Sequence, residues 1–313
     1  MHTFEHAVEV DGLCKRFGEV RAVERLSFHV RPGEVFGLVG PDGAGKTTTL
    51  RMLAGVLAPD AGAARVAGCD VVHDPEAAKH HLSYMPQRFG LYEDLNVNEN
   101  IRFYADLFGV RKSDREQRAT ELLAAAGMSE FRPRLAGKLS GGMKQKLGLV
   151  CALIHTPKVI LLDEPTTGVD PVSRRDFWKI LYALALQGVA IVTSTAYLDE
   201  AERCHRVALL HQGKLLFCDA PASLKTRLGK GVLAIIAPEP RQVRDTLEGA
   251  AGISTLVLTG DGVHAMVDDA ARRIPEFTAR LRSANVAFDQ MIQALPTIED
   301  LFVESVTGEG GTA

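Results

Sequence analysis

A glycine-rich segment at residues 40–47 constrains the fold of this chain more than any other feature. It reads GPDGAGKT and matches the phosphate-binding pattern G-x-x-x-x-G-K-[ST]. The segment follows an apolar run at 35–39, which predicts a buried strand, and it precedes a helical pattern that begins at Lys46. This order places the loop N–H groups and the positive end of a helix dipole beside one anion. The sequence therefore predicts a strand, a phosphate-binding loop and a helix of an α/β fold.

The residue types in this segment have separate expected tasks. The glycines allow the loop N–H groups to turn toward the β- and γ-phosphate oxygens of a nucleotide, and Lys46 adds a positive charge. The Thr47 hydroxyl is expected to ligate Mg²⁺. An accidental glycine-rich turn is the alternative, but the flanking strand and helix argue against it. The residues expected to bind the nucleotide are Gly40, Pro41, Asp42, Gly43, Ala44, Gly45, Lys46, Thr47 and Thr48.

Two adjacent carboxylates follow a second apolar run, at residues 159–162. Such a run predicts a buried parallel strand, and open α/β sheets bind ligands at the carboxyl ends of their strands. We expect Asp163 to hold Mg²⁺ through water, and Glu164 to orient or deprotonate an attacking water. Alone, the two acids fit an exposed pair after a strand. Together with the phosphate loop, they predict a nucleotide-hydrolysing site.

Strand-like and helix-like segments alternate along residues 159–204, which favours a doubly wound parallel sheet for the core of residues 1–230. Turns at 17–19 and 31–34 separate short β-like runs, and both turns are predicted to close hairpins. Residues 88–155 are instead predicted to form a helical subdomain inserted into the α/β core. The predicted helices are 46–54, 98–108, 114–126, 142–153, 171–186 and 198–204, and the further predicted strands are 7–10, 26–30, one or two within 63–72, and 189–193.

The composition changes near residues 228–231, and a separate α+β pattern follows. Its order, β-α-β-β-α-β, predicts a small ferredoxin-like domain. His264 is a single histidine on a predicted strand, so we expect it to have a structural role. The predicted domains are residues 1–230 and an accessory domain at residues 231–313. The predicted strands of the second domain are 232–237, 253–258, 263–267 and 288–295, and its helices are 241–250 and 271–284.

Composition argues against several classes of protein. The 36 Lys and Arg residues against 39 Asp and Glu residues give a net charge of −3, so no basic excess points to nucleic acid as a partner. The 5 cysteines are scattered, which argues against a disulfide framework or a zinc ribbon and favours a reducing cytoplasm. No apolar stretch approaches the roughly 18 residues of a membrane span, and the polar N-terminus differs from a signal peptide.

The segment LSGGMKQKL at residues 139–147 separates this chain from other phosphate-loop proteins. Ser140, Gly141 and Gly142 stand at the start of a predicted helix, where N–H groups and the helix dipole form an anion site. An ordinary serine N-cap with flexible glycines is the alternative. With these motifs in order, the chain resembles the ATP-binding cassette (ABC) subunits of membrane transporters, whose signature is LSGGQ. Met143 stands here in place of the glutamine.

The resemblance covers about residues 4–230 and implies a P-loop NTPase fold with a RecA-like core. It implies that residues 140–142 bind the γ-phosphate of ATP held by a second cassette in a head-to-tail dimer. Because this chain carries one cassette, the resemblance implies a homodimer or a heterodimer. The implied catalytic residues are Glu164, Lys46 and Gln87, and the implied Mg²⁺ site is Thr47, Gln87 and Asp163.

Three further positions match the family. Phe17 matches an aromatic residue that stacks on adenine, although a hairpin or core aromatic is the alternative. Gln87 matches the glutamine that senses Mg²⁺ and the attacking water and links the core to the helical subdomain, or it is a polar loop residue. Asp170 matches the loop that crosses the dimer interface, and an Asp N-cap before Pro171 is equally consistent with the sequence.

One position departs from the family. Cassettes usually read S-T-H after the strand at 189–193, and the histidine contacts the γ-phosphate, whereas this chain has Ala196. The alanine side chain cannot donate a hydrogen bond. Three consequences for hydrolysis are then open. It is slow, it relies on Glu164 in place of the histidine, or it depends on another cassette. We expect the chain to remain an ATPase, because the other catalytic positions are kept.

The resemblance implies the ATP-hydrolysing subunit of an exporter, with ATP and Mg²⁺ as ligands. Its implied partners are a second cassette and an integral membrane permease, whose coupling helices enter the groove beside Gln87. This predicts a cytoplasmic protein on the inner face of the membrane. Residues 295–303 resemble the C-terminal segment of drug- and ion-efflux cassettes, although helical packing would explain their pattern equally well.

Three other functional classes are the alternatives. A degenerate cassette would use ATP as a switch, or would form one half of an asymmetric pair, because Ala196 replaces the histidine. Cassettes that act on nucleic acid or ribosomes carry long insertions or two fused copies, which this chain lacks. A P-loop kinase is disfavoured by the signature at 140–142.

Overall fold

The computed structural model describes residues 5–88, 90–227 and 230–309, and the chain forms two compact units, Met1–Cys218 and Asp219–Ala313. The first unit ends earlier than the sequence-based boundary between 230 and 231, because helix Pro221–Thr226 packs on helix Ile298–Glu309 of the second unit. Residues 228 and 229 of the expected composition break lie outside the described residues.

A six-stranded sheet forms the centre of the first unit, with the strand order β10-β9-β3-β8-β7-β6. Strand β3 pairs in parallel with β8 and β9, and β7 pairs in parallel with β6 and β8. Every residue of β3 and β7 is buried, which explains why both read as continuous apolar runs. The strands are β3 (Val35–Val39), β6 (Leu82–Met85), β7 (Val159–Asp163), β8 (Ala190–Thr195), β9 (Arg206–His211) and β10 (Lys214–Asp219).

A separate four-stranded sheet has the order β2-β1-β4-β5 and antiparallel pairing. Its strands are β1 (Val8–Phe17), β2 (Val20–Val30), β4 (Ala61–Val66) and β5 (Cys69–Asp70). The predicted hairpin at 17–19 is confirmed, since Phe17 pairs with Val20 across the turn. The predicted hairpin at 31–34 is wrong, because this turn carries the chain from β2 into the six-stranded sheet. Strand β3 is occupied there on both sides by β8 and β9.

Several helices of the first unit form the predicted helical subdomain. Its helices share a core of their own that contains Ile101, Leu123 and Leu147. Helix α3 begins with a capping box, in which Asn96 and Glu99 each accept a backbone N–H of the other. The helices are α1 (Lys46–Leu53), α2 (Pro75–Lys79), α3 (Val97–Leu107), α4 (Lys112–Ala125), α5 (Gly141–Leu153), α6 (Pro171–Leu186) and α7 (Leu198–Ala201).

The second unit has the predicted β-α-β-β-α-β order. Its antiparallel sheet runs β12-β13-β11-β14, so the first and third strands of the motif are central, and the ferredoxin-like prediction is confirmed. Helix α8 precedes this motif, and helix α11 follows it. The elements are α8 (Pro221–Thr226), β11 (Gly231–Ile236), α9 (Pro240–Leu247), β12 (Ile253–Leu258), β13 (Gly262–Val267), α10 (Ala270–Ser283), β14 (Gln290–Ala294) and α11 (Ile298–Glu309).

His264, on strand β13, contacts Asp300 near the start of α11, which agrees with the expected structural role. Its Nδ1 lies 3.1 Å from both carboxylate oxygens of Asp300. The Asp300 carboxylate is fully buried and also accepts the backbone N–H of Thr297 at 2.8 Å. The hydrogen bond to Asp300 raises the pKa of His264, although burial opposes this. Burial raises the pKa of Asp300, but hydrogen bonds from His264 and Thr297 outweigh it and lower that pKa overall.

We expect His264→Gln to destabilise the second unit by about 1–3 kcal/mol at mildly acidic pH, and by less at alkaline pH. Because the folded pKa of His264 is raised, the stabilisation is complete below its unfolded value of about 6.5. It is lost as the pH rises through the folded value. The Asp300 contribution has the opposite sense and disappears as the pH falls through its lowered folded pKa.

Hydrogen exchange of the amides in α11 and β13, corrected for intrinsic rates, measures this difference at about pH 5 and about pH 9. His73→Gln is the matched control, because the His73 side chain is 84% exposed. A cost of His264→Gln that is equal at both pH values would contradict the charged pair.

No described helix of the chain combines the length and the apolar character needed to cross a lipid bilayer.

Candidate nucleotide-binding site

The phosphate loop lies at the carboxyl end of β3, and tight packing requires two of its glycines. An ideal Cβ on Gly40 would stand 2.2 Å from the carbonyl oxygen of Leu210, and one on Gly45 would stand 2.3 Å from that of Ala22. Gly45 also has a φ of +101°, which favours glycine. The backbone is therefore held in a curled conformation that side chains at these positions would disrupt, as a phosphate cradle requires.

Gly45→Ala is expected to weaken nucleotide binding by at least about 10-fold, and more than Gly43→Ala. Both glycines have positive φ, so both substitutions carry a similar backbone cost of about 1–2 kcal/mol. Only the Gly45 Cβ meets a carbonyl oxygen, because no atom lies within 4 Å of a Cβ on Gly43. Titration of each variant with a fluorescent ATP analogue checks this. Equal losses in the two variants would rule out the steric explanation.

Lys46 is the first residue of α1, and its side chain is 4% exposed. Its Nζ donates to the carbonyl oxygens of Gly40 at 2.8 Å and Pro41 at 3.1 Å. The same Nζ lies 3.3 Å from Oε1 of Glu164. A buried cation needs such partners, and a phosphate group would be a further one. Lys46 is thus already aimed into the loop that the sequence assigns to phosphate.

Asp163 ends strand β7 and is 2% exposed. Its Oδ1 accepts the hydroxyls of Thr47 at 2.9 Å and Ser194 at 2.7 Å, and its Oδ2 accepts the Tyr84 hydroxyl at 3.3 Å. Burial, and then the charge of Asp163, raises the pKa of Tyr84 to about 12, so Tyr84 remains a donor. A hydroxyl and a carboxylate oxygen in contact are ligands suited to Mg²⁺.

Glu164 follows β7 and has a φ of +48°, a left-handed conformation that is uncommon for a residue with a side chain. Its backbone N–H donates to the Ser194 hydroxyl at 3.0 Å, which helps to hold this conformation. Its carboxylate contacts Lys46 and also accepts Nε2 of Gln87 at 2.9 Å. The structure therefore brings Lys46, Gln87 and Glu164 together at the end of the sheet.

Two residues of this cluster were not identified from the sequence. Ser194 contacts both acids, and Tyr84 contacts Asp163. Ser194 directly precedes Thr195 and Ala196, and the resemblance implied no role for it beyond its place in the family's S-T-H pattern. The available signal was its position directly after the predicted strand at 189–193, because the carboxyl ends of parallel strands carry ligand-binding residues.

The signature residues begin α5. Ser140 is the N-cap, and its hydroxyl accepts the backbone N–H of Met143 at 3.3 Å. An ideal Cβ on Gly142 would stand 2.5 Å from the Ser173 side chain, so α5 and α6 pack closely here. Within the described part of the chain, no hydrogen bond or ion pair joins residues 140–142 to the phosphate loop. Ser140 is thus an N-cap, as the alternative interpretation of this segment states, and the anion-binding role of residues 140–142 remains a prediction.

Three other expected positions lie outside this hydrogen-bonded cluster. Phe17 ends β1 at the hairpin, and its side chain is 51% exposed, with Nζ of Lys15 at 5.8 Å from the ring centroid. Asp170 is the N-cap of α6 and accepts the N–H groups of Val172 and Ser173. The hydrogen bond from Ser173 holds the pKa of Asp170 below its usual value.

Ala196 follows β8 and is exposed. The N–H of the next residue, Tyr197, donates to the Thr195 hydroxyl at 3.0 Å, so the chain turns away from the sheet there. Ala196 supplies only a methyl group at this position.

Comparison with known proteins is consistent with this geometry. The sequence pattern of the ABC transporter family matches residues 23–167. The chain is 52% identical over 229 residues to the probable multidrug ABC transporter ATP-binding protein YbhF of Escherichia coli, which covers 72% of this chain. The chain spans only 40% of the length of YbhF.

Two further relatives are matched over most of their length. The chain is 39% identical to the Nod factor export ATP-binding protein I of Paraburkholderia xenovorans, over 85% of this chain and 88% of that protein. It is 34% identical to the daunorubicin resistance ATP-binding protein DrrA2 of Streptomyces coeruleorubidus, over 95% of this chain and 94% of that protein.

Solved structures share the fold of the first unit. An ATP-binding subunit of an ABC transporter superposes with a TM-score of 0.65 and 29% identity, covering 71% of this chain and 93% of that one. A dimeric cassette bound to ADP and Pi superposes with a TM-score of 0.62 and 23% identity, covering 68% and 98%. The expected P-loop NTPase fold is confirmed. The chain belongs to the family of ABC transporter ATP-binding subunits.

Proposed function

We propose that this chain binds Mg·ATP and hydrolyses it as the energy-supplying subunit of a membrane exporter. One observation carries the proposal: Glu164 contacts both Lys46 and Gln87, while Asp163 contacts Thr47 directly beside them. These contacts bring a phosphate-binding cation, a water-activating carboxylate and a pair of Mg²⁺ ligands to one edge of the sheet. The multidrug, export and resistance names of the relatives support export.

The residues of this cluster have distinct roles in hydrolysis. Lys46 and the loop N–H groups hold the β- and γ-phosphates. Thr47 and Asp163 would hold Mg²⁺, which would supply positive charge to the phosphate oxygens. Glu164 accepts a proton from water as the water oxygen bonds to the γ-phosphorus. The bond from that phosphorus to the bridging oxygen breaks, and ADP leaves with its electron pair. Gln87, held by Glu164, orients the water.

A second cassette is proposed to complete each site. Ser140 and the following glycines present a helix N-terminus, which attracts anions. Because these residues do not contact the phosphate loop of their own chain, a partner in head-to-tail orientation would bring its γ-phosphate to them. Asp170 would then lie at the interface, and exposed Phe17 would stack on adenine.

The membrane subunit is proposed to bind beside Gln87, at the inner face of the membrane. Helix α3 and the segment before it expose large apolar side chains on the helical subdomain. Tyr92 and Phe103 lie edge to face with centroids 4.6 Å apart, and Leu107 is 63% exposed. Such a patch fits a protein partner.

Turnover of Mg·ATP in membranes that contain the cognate permease tests the proposal. We expect measurable turnover by the native chain, and we expect Ala196→His to raise it by up to about 10-fold, because it restores a hydrogen-bond donor beside Thr195. Ala196→Leu is the control, because leucine adds comparable bulk but no hydrogen-bond donor. Turnover by Ala196→His alone, with none by the native chain, would replace the proposal with an ATP-binding switch.

A further inference from the structure

A cavity of about 1230 Å³ lies on the side of the first unit opposite the phosphate loop. One wall is made by α4 and α5 of the helical subdomain, and the other by α6 and by residues that precede strands β3, β7 and β8. The residues before these strands include Pro32, Lys158 and Val189. Since the nucleotide cluster follows the carboxyl ends of β3 and β7, this cavity lies at the other edge of the sheet. It is not part of the nucleotide site.

The lining of this cavity is aliphatic. Leu149, Leu153, Ile180 and Leu184 contribute branched side chains, and the alanines at 124–126 leave space along α4. No phenylalanine, tyrosine, tryptophan or methionine occurs among the described residues that line it. Aromatic side chains would favour flat ring ligands through stacking. An aliphatic lining instead favours a flexible alkyl chain, whose burial is driven by the area removed from water.

Charged side chains border this aliphatic surface unequally. The cations are Arg118, Lys146, Lys158 and Lys179, and the carboxylates are Glu121 and Asp176. Four cations against two carboxylates leave a net charge of 4 − 2 = +2. Two of these cations share Asp176, which lies 3.1 Å from Nζ of Lys179 and 3.5 Å from Nζ of Lys146. Asp114, beside the cavity, lies 3.9 Å from Arg118, and with it counted the net charge is 4 − 3 = +1. The border of the cavity therefore attracts anions and disfavours cationic amphiphiles.

We infer that this cavity binds a long-chain fatty acid, with the alkyl chain against α4 and α5 and the carboxylate among the lysines. The volume exceeds the range of about 300–1,000 Å³ that is typical of small-ligand sites, so an extended chain has room. The two walls belong to the helical subdomain and to the core. A bound chain would therefore hold these two parts of the first unit together.

Titration of the full chain with palmitate, followed by displacement of a fluorescent polyene fatty acid, tests the inference. We expect saturable binding at one site, and binding of hexadecanol that is weaker by at least about 5-fold, because the alcohol lacks the charge. Ala183→Trp, which fills the cavity from an exposed position on α6, is expected to weaken palmitate binding by at least about 10-fold.

Matched controls separate the cavity from the general surface. Leu186→Trp changes a residue of the same helix that is 90% exposed and does not line the cavity, and it should leave palmitate binding unchanged. Lys179→Gln should weaken binding of palmitate but not of hexadecanol, whereas Arg175→Gln on the same helix should affect neither. Nucleotide binding by each variant reports whether the unit is folded.

Several outcomes would overturn the inference. Palmitate binding that is not saturable, or that is equal in the native chain and Ala183→Trp, shows that the cavity does not hold it. Equal affinities for palmitate and hexadecanol remove the role of the carboxylate. If an acidic amphipathic peptide binds the native chain but not Ala183→Trp, and palmitate does not compete, the cavity is a protein-docking groove instead. Each result is independent of ATP hydrolysis.

Discussion

Replacing Glu164 with glutamine is expected to lower Mg·ATP turnover by at least about 100-fold while strengthening ATP binding. The loss follows from removing the general base, whose contribution is typically about 100–10,000-fold. The gain follows from the ion pair between Glu164 and Lys46, which are 3.3 Å apart. In the native chain this carboxylate competes with a phosphate for the lysine charge. Glutamine has nearly the same shape but no charge, so Lys46 is released to the nucleotide.

Steady-state turnover and equilibrium titration with a fluorescent ATP analogue measure the two effects separately. Glu202→Gln is the matched control, because it neutralises an exposed carboxylate outside the Lys46–Glu164 cluster. It should alter neither turnover nor affinity. If Glu164→Gln retained native turnover, Glu164 would not be the base. If it bound ATP more weakly than the native chain, the ion pair would not oppose phosphate binding.

Local sequence patterns predicted the elements that carry the nucleotide site. The apolar runs of β3 and β7 are continuous because both strands are buried on both faces, and the glycine-rich loop directly follows the first of them. Strand β6 was missed, because its sequence LSYM mixes apolar residues with a serine and a tyrosine. Ser83 is buried nonetheless, since β6 pairs with β7 and packs on α5. Strands β9 and β10 were also missed.

The hairpin predicted at residues 31–34 was wrong because the pairing partner of a strand is not determined by the residues next to it. Pro32 and Gly33 are typical turn residues, but turn chemistry does not specify which strand the following segment pairs with. Strand β3 joins β8 and β9, which come much later in the chain. The same limit applies to the site. The sequence placed Lys46 at the start of a helix after the phosphate loop and Glu164 just after a strand. Their contact depends on β8 alone separating β3 from β7.

Replacing Lys46 with methionine is expected to weaken ATP binding by about 10–100-fold and to abolish measurable turnover. Methionine preserves most of the length and apolar volume of the lysine stem, so the effect reports the ammonium group. The magnitude corresponds to the loss of charge-assisted hydrogen bonds, each worth about 1.5–3 kcal/mol. The ammonium group also holds the loop carbonyls of Gly40 and Pro41.

The double variant Lys46→Met/Glu164→Gln separates the loss of the Lys46 ammonium group from repulsion of ATP by an unpaired Glu164 carboxylate. In the single variant Lys46→Met, Glu164 is left as a partly buried carboxylate without its cation, at 14% side-chain exposure. If that repulsive charge causes part of the loss, the double variant should bind ATP more tightly than Lys46→Met, yet more weakly than Glu164→Gln. Equal affinity of the double variant and Glu164→Gln would mean that Lys46 contributes nothing to the nucleotide itself. That result would contradict the assignment of residues 40–47 as a phosphate loop.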